Sequence, residues 1–465
     1  MDNKVDALSR LSTSLLIMIL SLLPFREAAR TGVLARQWRH LWRETTNIEF
    51  NENFFVRTDE SLEEQHFQRC AFITFVKSFL TQYSQAVIDR FVLVSSRPNH
   101  FLLDMTNSIN FAVSRHVKDL ELDFSDPTWE EDIYDDCYEA DFELPSHVYE
   151  FGSLIESLKL YSCIFNASRF CNFQALKSLS LGWISISMAS LDVVLRDCPL
   201  ESLSLKRCWN LEHFHISSSE LGLKRLVIDK CEFVHDYLSI QGPTFEYFKY
   251  SGSVAQFYLE NQLEMKEADL DFRMETEFGE GLGVYIYDLV LELCAVRVLT
   301  VCSALLQIIP SGEEPTCLQT PMQVRHLIMK TAVHENEYYG IRFMLYSCPL
   351  LEILTLDIGP ARIFEDYEPP FAFSVDDFWT TNSDMVQRCI DSTLRVVNVK
   401  GFKGTVNQLY LLRYILHFGR SLEEFNIYVS NEDGEDGTNR DTNMARAHGI
   451  TQLYRAARNL RISFF

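Results

Sequence analysis

Histidines and cysteines are the residues of this chain whose side chains could bind a metal ion or form a covalent intermediate. The twelve cysteines extend from Cys70 to Cys389, with no C-x-x-C pair and no Cys/His cluster at zinc-binding spacing. His213 and His215 alternate in a strand-like stretch, so both rings can lie on one side and chelation is geometrically possible. Because no third ligand is nearby in sequence, an exposed surface pair is the alternative interpretation. We predict no metal site.

The cysteines have a structural interpretation instead of a chemical one. Cys163, Cys208 and Cys231 each follow a strand-like apolar pattern by three residues, where a small inward-facing side chain is expected. Free cysteine packs as a small apolar residue, so we expect these thiols to be reduced and buried. The sequence also contains no P-loop, dinucleotide-binding fingerprint, H-E-x-x-H motif or serine nucleophile elbow. We therefore predict a non-enzymatic protein without a cofactor.

The charge of the chain is strongly negative and unevenly distributed. The net charge is −23, yet residues 1–50 carry seven Lys/Arg and five Asp/Glu, which leaves the remaining 415 residues at −25. An acidic body of this kind repels phosphate backbones, which argues against nucleic-acid binding. The basic N-terminal segment suits an acidic protein partner, or its arginines simply solvate a helix.

No segment is predicted to span a membrane. None reaches the roughly 18 consecutive apolar residues that a bilayer-spanning helix needs. Asp2 and Asp6 are unfavourable in a secretory signal. We therefore expect a protein of the nucleus, the cytoplasm or both, with no membrane partner.

The N-terminal region contains a short helix that is apolar almost all round. Residues 15–23 read Leu-Leu-Ile-Met-Ile-Leu-Ser-Leu-Leu and are followed by Pro24, and a basic segment with two tryptophans comes next. Such a helix must be buried on every side, and some fifty residues cannot supply that cover alone. A second protein is the natural source of cover. The segment is therefore predicted to be a protein-docking module.

A strand pattern, apolar-x-x-apolar-x-apolar, recurs throughout the chain after residue 85. The central residues of its copies are Phe91, Leu120, Leu158, Leu179, Leu203, Leu226, Phe248, Leu270, Leu299, Leu327, Leu354, Val397, Phe425 and Leu460. Successive centres from Leu158 to Leu270 are 21, 24, 23, 22 and 22 residues apart, and those from Leu270 to Leu354 are 29, 28 and 27 apart. Both series fit the period of leucine-rich repeats, roughly 20–29 residues. Because one repeat cannot bury its own apolar face, we predict a curved solenoid with a parallel β-sheet.

Two connections between strands are predicted to be helices, over residues 190–196 and 341–346. Each stops before a Cys-Pro-Leu sequence, at Cys198 and at Cys348, because proline cannot continue the helical hydrogen-bond ladder.

Three longer intervals interrupt the repeat and are predicted to form surface loops. Residues 123–143 contain ten acidic residues among 21, interleaved with Trp129, Tyr134 and Tyr138. The other two intervals contain the acidic stretches 364–371 and 431–437. Insertions in a solenoid often lie on its binding face. These loops could clasp a basic ligand, or they are solvated insertions with no ligand.

The N-terminal residues resemble a plant-type F-box. The resemblance is carried by Asp6–Leu11, the apolar helix with Leu23-Pro24, residues 30–34, residues 36–42 and the ending at 47–51. The Cys-Pro-Leu turns that lead into Leu-Glu-x-Leu strands, together with residues 242–252, resemble plant F-box leucine-rich-repeat proteins. Residues 394–404, 409–418 and 422–427 are similar to the FBD region of such proteins.

This resemblance implies a substrate-recognition subunit of an SCF-type (Skp–cullin–F-box) ubiquitin ligase. In that class the F-box binds a Skp-type adaptor, which links it to cullin and RING subunits, and the rest of the chain captures a target for ubiquitination. The adaptor-facing residues implied here are Leu11, Leu15, Leu16, Ile19, Leu20, Leu23, Pro24, Val33, Leu34 and Trp38. Trp42 is instead expected to pack against the start of the solenoid. The target and its binding residues stay unidentified, and a repeat scaffold without ligase function is the alternative.

One position departs from the family pattern. The family usually has Leu-Pro where this chain has Leu11-Ser12. Proline fixes the backbone at the entrance to a helix, whereas Ser12, Thr13 or Ser14 can cap the helix instead. We expect weaker or more selective adaptor binding, and not its loss.

The sequence as a whole predicts an α/β chain with four parts. These are a small N-terminal α-helical F-box (1–50), a helical linker (51–85), a leucine-rich-repeat solenoid with acidic insertions (86–390), and an FBD-like C-terminal region that continues the solenoid (391–465).

Overall fold

The computed structural model describes residues 11–465 apart from 35, 130–141, 213, 218–221, 236, 243–244, 261, 263, 280, 312–315, 376, 380–385 and 432–438. The chain divides into two compact units, Met1–Glu212 and His213–Phe465, here called unit 1 and unit 2. Among the described residues, no helix has the length and apolar character needed to cross a bilayer.

Unit 1 begins with a small helical module. Its helices are α1 (Thr13–Ser21) and α2 (Phe25–Arg30), followed by three short 3-10 turns at Thr31–Val33, Arg36–Trp38 and Leu41–Glu44. Of the three residues that could cap α1, Ser12 is the N-cap, and its side chain accepts a hydrogen bond from the Leu15 N–H. Pro24 follows α1 and forms the N-cap of α2, so it separates the two helices.

The rest of unit 1 alternates strands with helices or turns. Its strands are β1 (Asn47–Asn51), β2 (Arg90–Val94), β3 (Asp119–Asp123), β4 (Ser157–Tyr161), β5 (Ser178–Gly182) and β6 (Ser202–Lys206). Its further helices are α3 (Leu62–Gln82), α4 (Leu102–Val113), α5 (Ser146–Glu150) and α6 (Met188–Asp197). The six strands pair in chain order and every pairing is parallel.

The strand pattern predicted from the sequence is confirmed in register. Leu120, Leu158, Leu179 and Leu203 lie opposite one another on successive strands, and all are fully buried. Intervening residues are half-buried, which gives the alternation of a sheet with one face on the core. β1 is an additional strand that begins at Asn47, inside the segment that the sequence assigned to the F-box.

Unit 2 continues the same construction. Its strands are β7 (Phe214–Ser217), β8 (Arg225–Asp229), β9 (Tyr237–Gln241), β10 (Tyr247–Ser251), β11 (Gln256–Glu260), β12 (Glu267–Asp271), β13 (Val298–Cys302), β14 (His326–Thr331), β15 (Ile353–Ile358), β16 (Val396–Phe402), β17 (Glu424–Val429) and β18 (Arg461–Phe464). Its helices are α7 (Leu282–Glu292), α8 (Ser303–Ile308), α9 (Tyr338–Ser347), α10 (Val406–Phe418) and α11 (Arg440–Gly449). A parallel sheet has the order β8-β10-β12-β13-β14-β15-β16-β17-β18.

A second, three-stranded parallel sheet in unit 2 has the order β11-β9-β7 and was not predicted. β7 and β11 alternate buried and exposed residues, with Phe257 and Leu259 as the buried residues of β11, whereas Leu238, Ser239 and Ile240 of β9 are all buried. All three strands are short and lie between the main repeats, where helices or turns were expected. β11 and β7 are its edge strands.

The predicted helices over 190–196 and 341–346 are confirmed as parts of α6 and α9. The centre assigned to the last repeat is wrong by two residues, because Ile462, and not Leu460, lies opposite Phe425. Leu460 is buried just before β18 begins, and its apolar side chain was mistaken for the centre of the strand.

Candidate functional site

Helix α1 divides its apolar side chains between an inner and an outer side. On the inner side, Leu16 and Leu20 are buried and pack with Ala28, Trp38 and Leu41 into the core of the helical module. The module is thus held together by one face of α1. The opposite face is left outside this core.

The outer side of α1 presents three large apolar side chains to solvent. Leu15, Met18 and Leu22 are 46%, 62% and 82% exposed. They are spaced i, i+3 and i+7, which places them along one face of the helix and its C-cap. Contiguous apolar side chains of this kind are typical of a protein-binding surface. We name Leu15, Met18 and Leu22 the α1 stripe.

The ten residues implied by the F-box resemblance occupy three environments. Leu16, Leu20 and Trp38 are buried in the core, and Leu11 and Ile19 are half-buried. The exposed members are Leu15, Leu23, Pro24, Val33 and Leu34. Val33 and Leu34 lie at the end of a 3-10 turn and are almost fully exposed.

Sequence reasoning missed Met18 and Leu22, although both belong to the apolar run. Their i, i+3, i+7 relation to Leu15 is the signal that could have found them. The run is so uniformly apolar that its periodicity alone does not distinguish the outer face from the inner one. The packing of Ala28 and Trp38 against Leu16 and Leu20 makes that distinction.

A groove lies beside the end of α1. Its volume is about 280 Å³, and it is lined by Leu22, Leu23, Pro24, Phe25, Asn47, Ile48, Glu49 and Arg90. The groove therefore joins the end of the α1 stripe to the first strands of the sheet.

Aromatic packing fixes the helical module to the repeats of unit 1. The Phe25 ring contacts the rings of Trp42 and Phe79 at centroid distances of 5.7 and 5.6 Å, and Trp42 and Phe79 are themselves 5.6 Å apart. Phe79 of α3 also contacts Phe50 of β1 at 5.3 Å, and Phe50 contacts Phe91 of β2 at 5.8 Å. Trp42 therefore packs toward the start of the repeats, as the sequence predicted.

Hydrogen bonds reinforce the same junction. The Asn47 side-chain amide donates to the Ser21 carbonyl at the end of α1. The Tyr83 hydroxyl donates to the Thr45 carbonyl at 3.1 Å, and burial raises the pKa of Tyr83 to about 12. The phenol therefore stays protonated and keeps its donor at physiological pH.

A buried ion pair lies where β1 meets α3. Arg69 Nε is 3.3 Å from Glu52 Oε1, and both side chains are almost fully buried. Glu52 also accepts hydrogen bonds from Ser95 Oγ at 2.7 Å and from Ser96 Oγ at 2.6 Å. A buried charge needs several partners of this kind to be stable. The ion pair thus stabilises the first repeat, beside the aromatic junction with the helical module.

The solvent-facing side of the unit 1 sheet carries neutralised charge. Arg90 lies 3.1 Å from both Asp119 and Glu121, and Lys159 lies 3.0 Å from Glu121. The four side chains alternate in sign across β2, β3 and β4. Cross-strand pairs of opposite charge stabilise a sheet modestly.

The corresponding face of the unit 2 sheet includes a row of uncharged polar groups. His326 Nε2 is 3.0 Å from Thr355 Oγ1, and Asn398 Nδ2 donates to Thr355 Oγ1 at 3.4 Å. Asn426 Nδ2 donates in turn to Asn398 Oδ1 at 3.1 Å. Thr355 is buried and the other three side chains are half-buried, so the row satisfies its own hydrogen-bonding groups.

Cys163, Cys208 and Cys231, which were predicted to be buried after their strands, are buried. Burial raises the pKa of the Cys163 and Cys389 thiols to about 12 and that of Cys302 to about 11. These thiols stay protonated near neutral pH and are poor nucleophiles.

No group of three or more potential metal ligands occurs among the residues that the structure describes. His215 is exposed, and its Nδ1 lies 3.1 Å from Oγ of the buried Ser239 on the neighbouring strand of the small sheet. The other member of the histidine pair, at position 213, lies outside the described residues.

The predicted acidic loops fall mainly outside the described residues, at 130–141 and 432–438. The loop at 364–371 is described and packs against the protein. Phe364 and Phe378 are buried, and the Tyr339 hydroxyl of α9 donates to the Phe371 carbonyl at 3.1 Å. Arg342 covers the Phe378 ring at 3.7 Å. This insertion is thus anchored by aromatic contacts, while Glu365, Asp366 and Glu368 stay exposed.

The helical module and the parallel repeats together define an F-box protein with a leucine-rich-repeat body. Residues 8–48 match the F-box domain, and residues 89–461 match the family described as At1g61320/AtMIF1, LRR domain. The chain belongs to the plant F-box/LRR-repeat protein family, whose members are typically non-catalytic adaptors.

Similar proteins in Arabidopsis thaliana match over nearly their whole length. The putative F-box/LRR-repeat protein At1g56400 is 35% identical over 428 residues, 89% of this chain and 87% of that protein. F-box protein At3g62230 is 33% identical over 429 residues, 91% of each chain. The putative F-box/LRR-repeat protein At5g54820 is 33% identical over 442 residues, 92% of each chain.

Proposed function

We propose that this chain is the target-recognition subunit of an SCF-type ubiquitin ligase. Its F-box binds a Skp-type adaptor, which connects it to cullin and RING subunits, and its repeats bind a target protein in the nucleus, the cytoplasm or both. The observation that carries this proposal is the α1 stripe, an exposed apolar face on a module that belongs to the F-box family. Ubiquitin transfer takes place on other subunits of the complex.

The proposed docking surface combines the exposed members of the predicted set with the two residues that the structure adds. They are Leu15, Met18, Leu22, Leu23, Pro24, Val33 and Leu34. Leu16, Leu20 and Trp38 support this surface from the core, and Leu11 and Ile19 flank it. A helix laid in a hydrophobic groove is held by a few apolar anchors along one face. Substituting a core residue would therefore disturb docking only through the fold of the module.

The packing between the F-box and the first repeat supports the proposal that one part binds the adaptor and the other binds the target. A ligase must hold its target at a defined place relative to the transferring subunit. The Phe25 cluster holds the F-box on the first repeat, and the buried Glu52–Arg69 pair stabilises that repeat. We also propose that the repeats extend to residue 390 and that an FBD-like region follows at 391–465. The proposed F-box covers residues 1–50 and the proposed linker covers 51–85, and β1 at the end of the F-box segment pairs with β2 of the sheet.

The test uses the full chain and a double variant, Leu15→Glu with Leu22→Glu. Both side chains are exposed, so the substitution leaves the core of the module intact and places charge in the docking surface. We expect the affinity for a Skp-type adaptor, compared by co-purification, to fall at least about 30-fold. This is the effect of losing two anchors that each contribute roughly 1 kcal/mol or more to binding. The matched control is Leu102→Glu with Leu103→Glu, two exposed leucines at the start of α4. Equal adaptor binding by both variants would refute the proposal.

The alternative, a repeat scaffold without ligase function, makes a different prediction for cells. In the ligase the Leu15/Leu22 variant still binds its target but lengthens the target's half-life, whereas in a scaffold the half-life does not change. Point variants are preferable to deletion of residues 1–50. That deletion would remove Phe25 and most of β1 and expose β2.

A further inference from the structure

A small cavity lies in unit 2 between the edge strand β11 and helix α7. Its volume is about 180 Å³. The lining residues are Gln256, Phe257, Tyr258, Tyr285, Asp288, Leu291 and Glu292. It is separate from the F-box and from the sheet faces described above.

Two tyrosine rings form walls of this cavity. Tyr258 and Tyr285 are 39% and 40% exposed, so both rings are accessible from solvent. Tyr258 is held in place by the Tyr237 ring, at a centroid distance of 4.9 Å, and by the Gln256 side-chain amide, which donates to its hydroxyl. The face of an aromatic ring is electron-rich and attracts organic cations.

Two carboxylates lie on the same face of α7 as Tyr285. Tyr285, Asp288 and Glu292 are spaced i, i+3 and i+7, so they follow one side of the helix. Asp288 and Glu292 are a like-charged i, i+4 pair, an arrangement that costs stability in an isolated helix. Glu292 Oε2 accepts a hydrogen bond from the Leu259 N–H of β11, which fixes the orientation of its carboxylate.

No cation within the described residues balances this charge. Asp288, Glu292 and the nearby Glu260 form no ion pair there, whereas Glu246 is paired with Lys266 and Glu352 with Arg325. Burial raises the pKa of Glu292, and the charges of Asp288 and Glu260 raise it further. The cavity is therefore a place where a positive charge from outside would be stabilised.

We propose that this cavity binds the basic side chain, lysine or arginine, of a target protein. The alkyl part of such a side chain packs between the two tyrosine rings, and its charged head reaches Asp288 and Glu292. The aromatic walls favour an organic cation over a metal ion, because a hard metal needs oxygen ligands on most sides. The acidic body of the chain, with a net charge of −23, favours the approach of a basic partner.

This inference rests on the proposed function in one respect only, namely that the protein carrying the basic side chain is a target of the ligase. Binding of a basic side chain to unit 2 does not require the adaptor. The two proposals can therefore fail separately.

The test is saturation-transfer NMR on the full chain with three probes, the Nα-acetyl methylamides of lysine, arginine and norleucine. We expect signals from the lysine and arginine probes and little signal from norleucine, which has a similar chain and no charge. The double variant Asp288→Asn with Glu292→Gln keeps the shape and the acceptor for Leu259, and should reduce the cationic signals at least about three-fold. Tyr285→Ala should have a similar effect, and Tyr285→Phe should retain binding.

The matched control is Tyr428→Ala. Tyr428 is 39% exposed and stacks on Phe465 at 4.6 Å, so it matches Tyr285 in exposure but lies on β17. This variant should bind all probes like the parent chain. Equal signals from norleucine and lysine, or full binding by the Asp288/Glu292 variant, would overturn the inference. Adaptor co-purification measured on the same samples reports separately on the F-box, and thermal unfolding verifies that each variant is folded.

Discussion

Helix α1 and the strands of the repeats are similarly rich in leucine, but they differ in what covers those leucines. On successive strands of unit 1, Leu158, Leu179 and Leu203 are completely buried, because each repeat covers the apolar face of its neighbour. On α1, Leu15 and Leu22 remain open although Leu16 and Leu20 are covered. The repeats bury their own leucines, whereas the F-box buries only the leucines on the inner face of α1.

The energetic meaning of this difference is considerable. Burying a leucine or methionine side chain is worth roughly 1.5–3 kcal/mol relative to leaving it in water. The α1 stripe forgoes that stabilisation at three positions in the free chain. A partner that covers the stripe recovers it as binding energy, less the cost of association. The open face is therefore better explained by binding than by folding.

The largest expected effect is in the first repeat, where Arg69→Met leaves Glu52 buried without its cation. Removing one member of a buried ion pair typically costs about 3–5 kcal/mol. Hydrogen exchange followed by mass spectrometry should show that loss as faster exchange in β1 and α3. Arg57→Met is the control, because Arg57 and Glu60 form an exposed pair at 3.7 Å, and it should cost under about 0.5 kcal/mol. Similar exchange in both variants would mean that the Glu52–Arg69 pair does not stabilise β1 and α3.

A second prediction separates the two kinds of leucine directly. Leu299→Ala empties a fully buried position on β13 and should lower the free energy of unfolding by about 3 kcal/mol. Leu22→Ala, at an 82% exposed position, should lower it by under about 0.5 kcal/mol. Urea denaturation measures both.

The order of the two effects should be reversed when adaptor affinity is measured instead of stability. Leu22→Ala should weaken adaptor binding about ten-fold, and Leu299→Ala should leave it unchanged where the protein is folded. If Leu22→Ala destabilised the chain as much as Leu299→Ala, the α1 stripe would belong to the fold and the contrast between the two regions would be lost.

The repeats could be predicted from the sequence far better than the docking surface. A period-two pattern at intervals of 21–29 residues specifies both the strand and its neighbour, so the sequence alone assigns Leu120 and Leu354 to the core. The helix α1 offers no such pattern, since nearly every position is apolar. Its inner face is defined by Ala28 and Trp38, which come from elements later in the chain.

Other differences have similar physical causes. The small sheet in unit 2 was missed because its strands lie between repeats, where helices are usual. The cavity between β11 and α7 was missed because it combines Tyr258 with Tyr285 and Glu292, residues brought together by folding. Tyr285, Asp288 and Glu292 share a helical face, a signal that was available but is common on exposed helices.

A smaller effect is expected at Ser12, where the family usually has proline. Ser12 has φ −65° and ψ 152°, a conformation that proline also adopts. Ser12→Pro would remove a helix cap worth about 1 kcal/mol and reduce the entropy of the unfolded chain by a similar amount. Stability should therefore change by under about 0.5 kcal/mol and adaptor affinity by under about three-fold, as measured by calorimetry. A ten-fold gain in affinity would instead show that serine limits docking.

The smallest effect is expected from His326, whose ring contacts Thr355. Burial lowers the pKa of His326 below its ordinary 6.5, and the nearby Lys400 ammonium lowers it further. Its contribution to stability is therefore present above about pH 6.5 and is lost as the pH falls through the lower, folded value. The melting temperature of the parent chain should fall slightly more than that of His326→Gln between pH 7.5 and pH 5. The ring is half-exposed, so solvent screens the effect and keeps it small.

The same titration tests whether the two regions are independent. Helix α1 contains no titratable side chain, so the parent chain and His326→Gln should share one pH profile of adaptor affinity. The pH dependence that they have in common would come from other groups, including those of the adaptor. Different profiles for the two chains would mean that protonation of His326 in the repeats changes the affinity of the docking surface for the adaptor. In that case the F-box and the repeats would be energetically coupled and not independent.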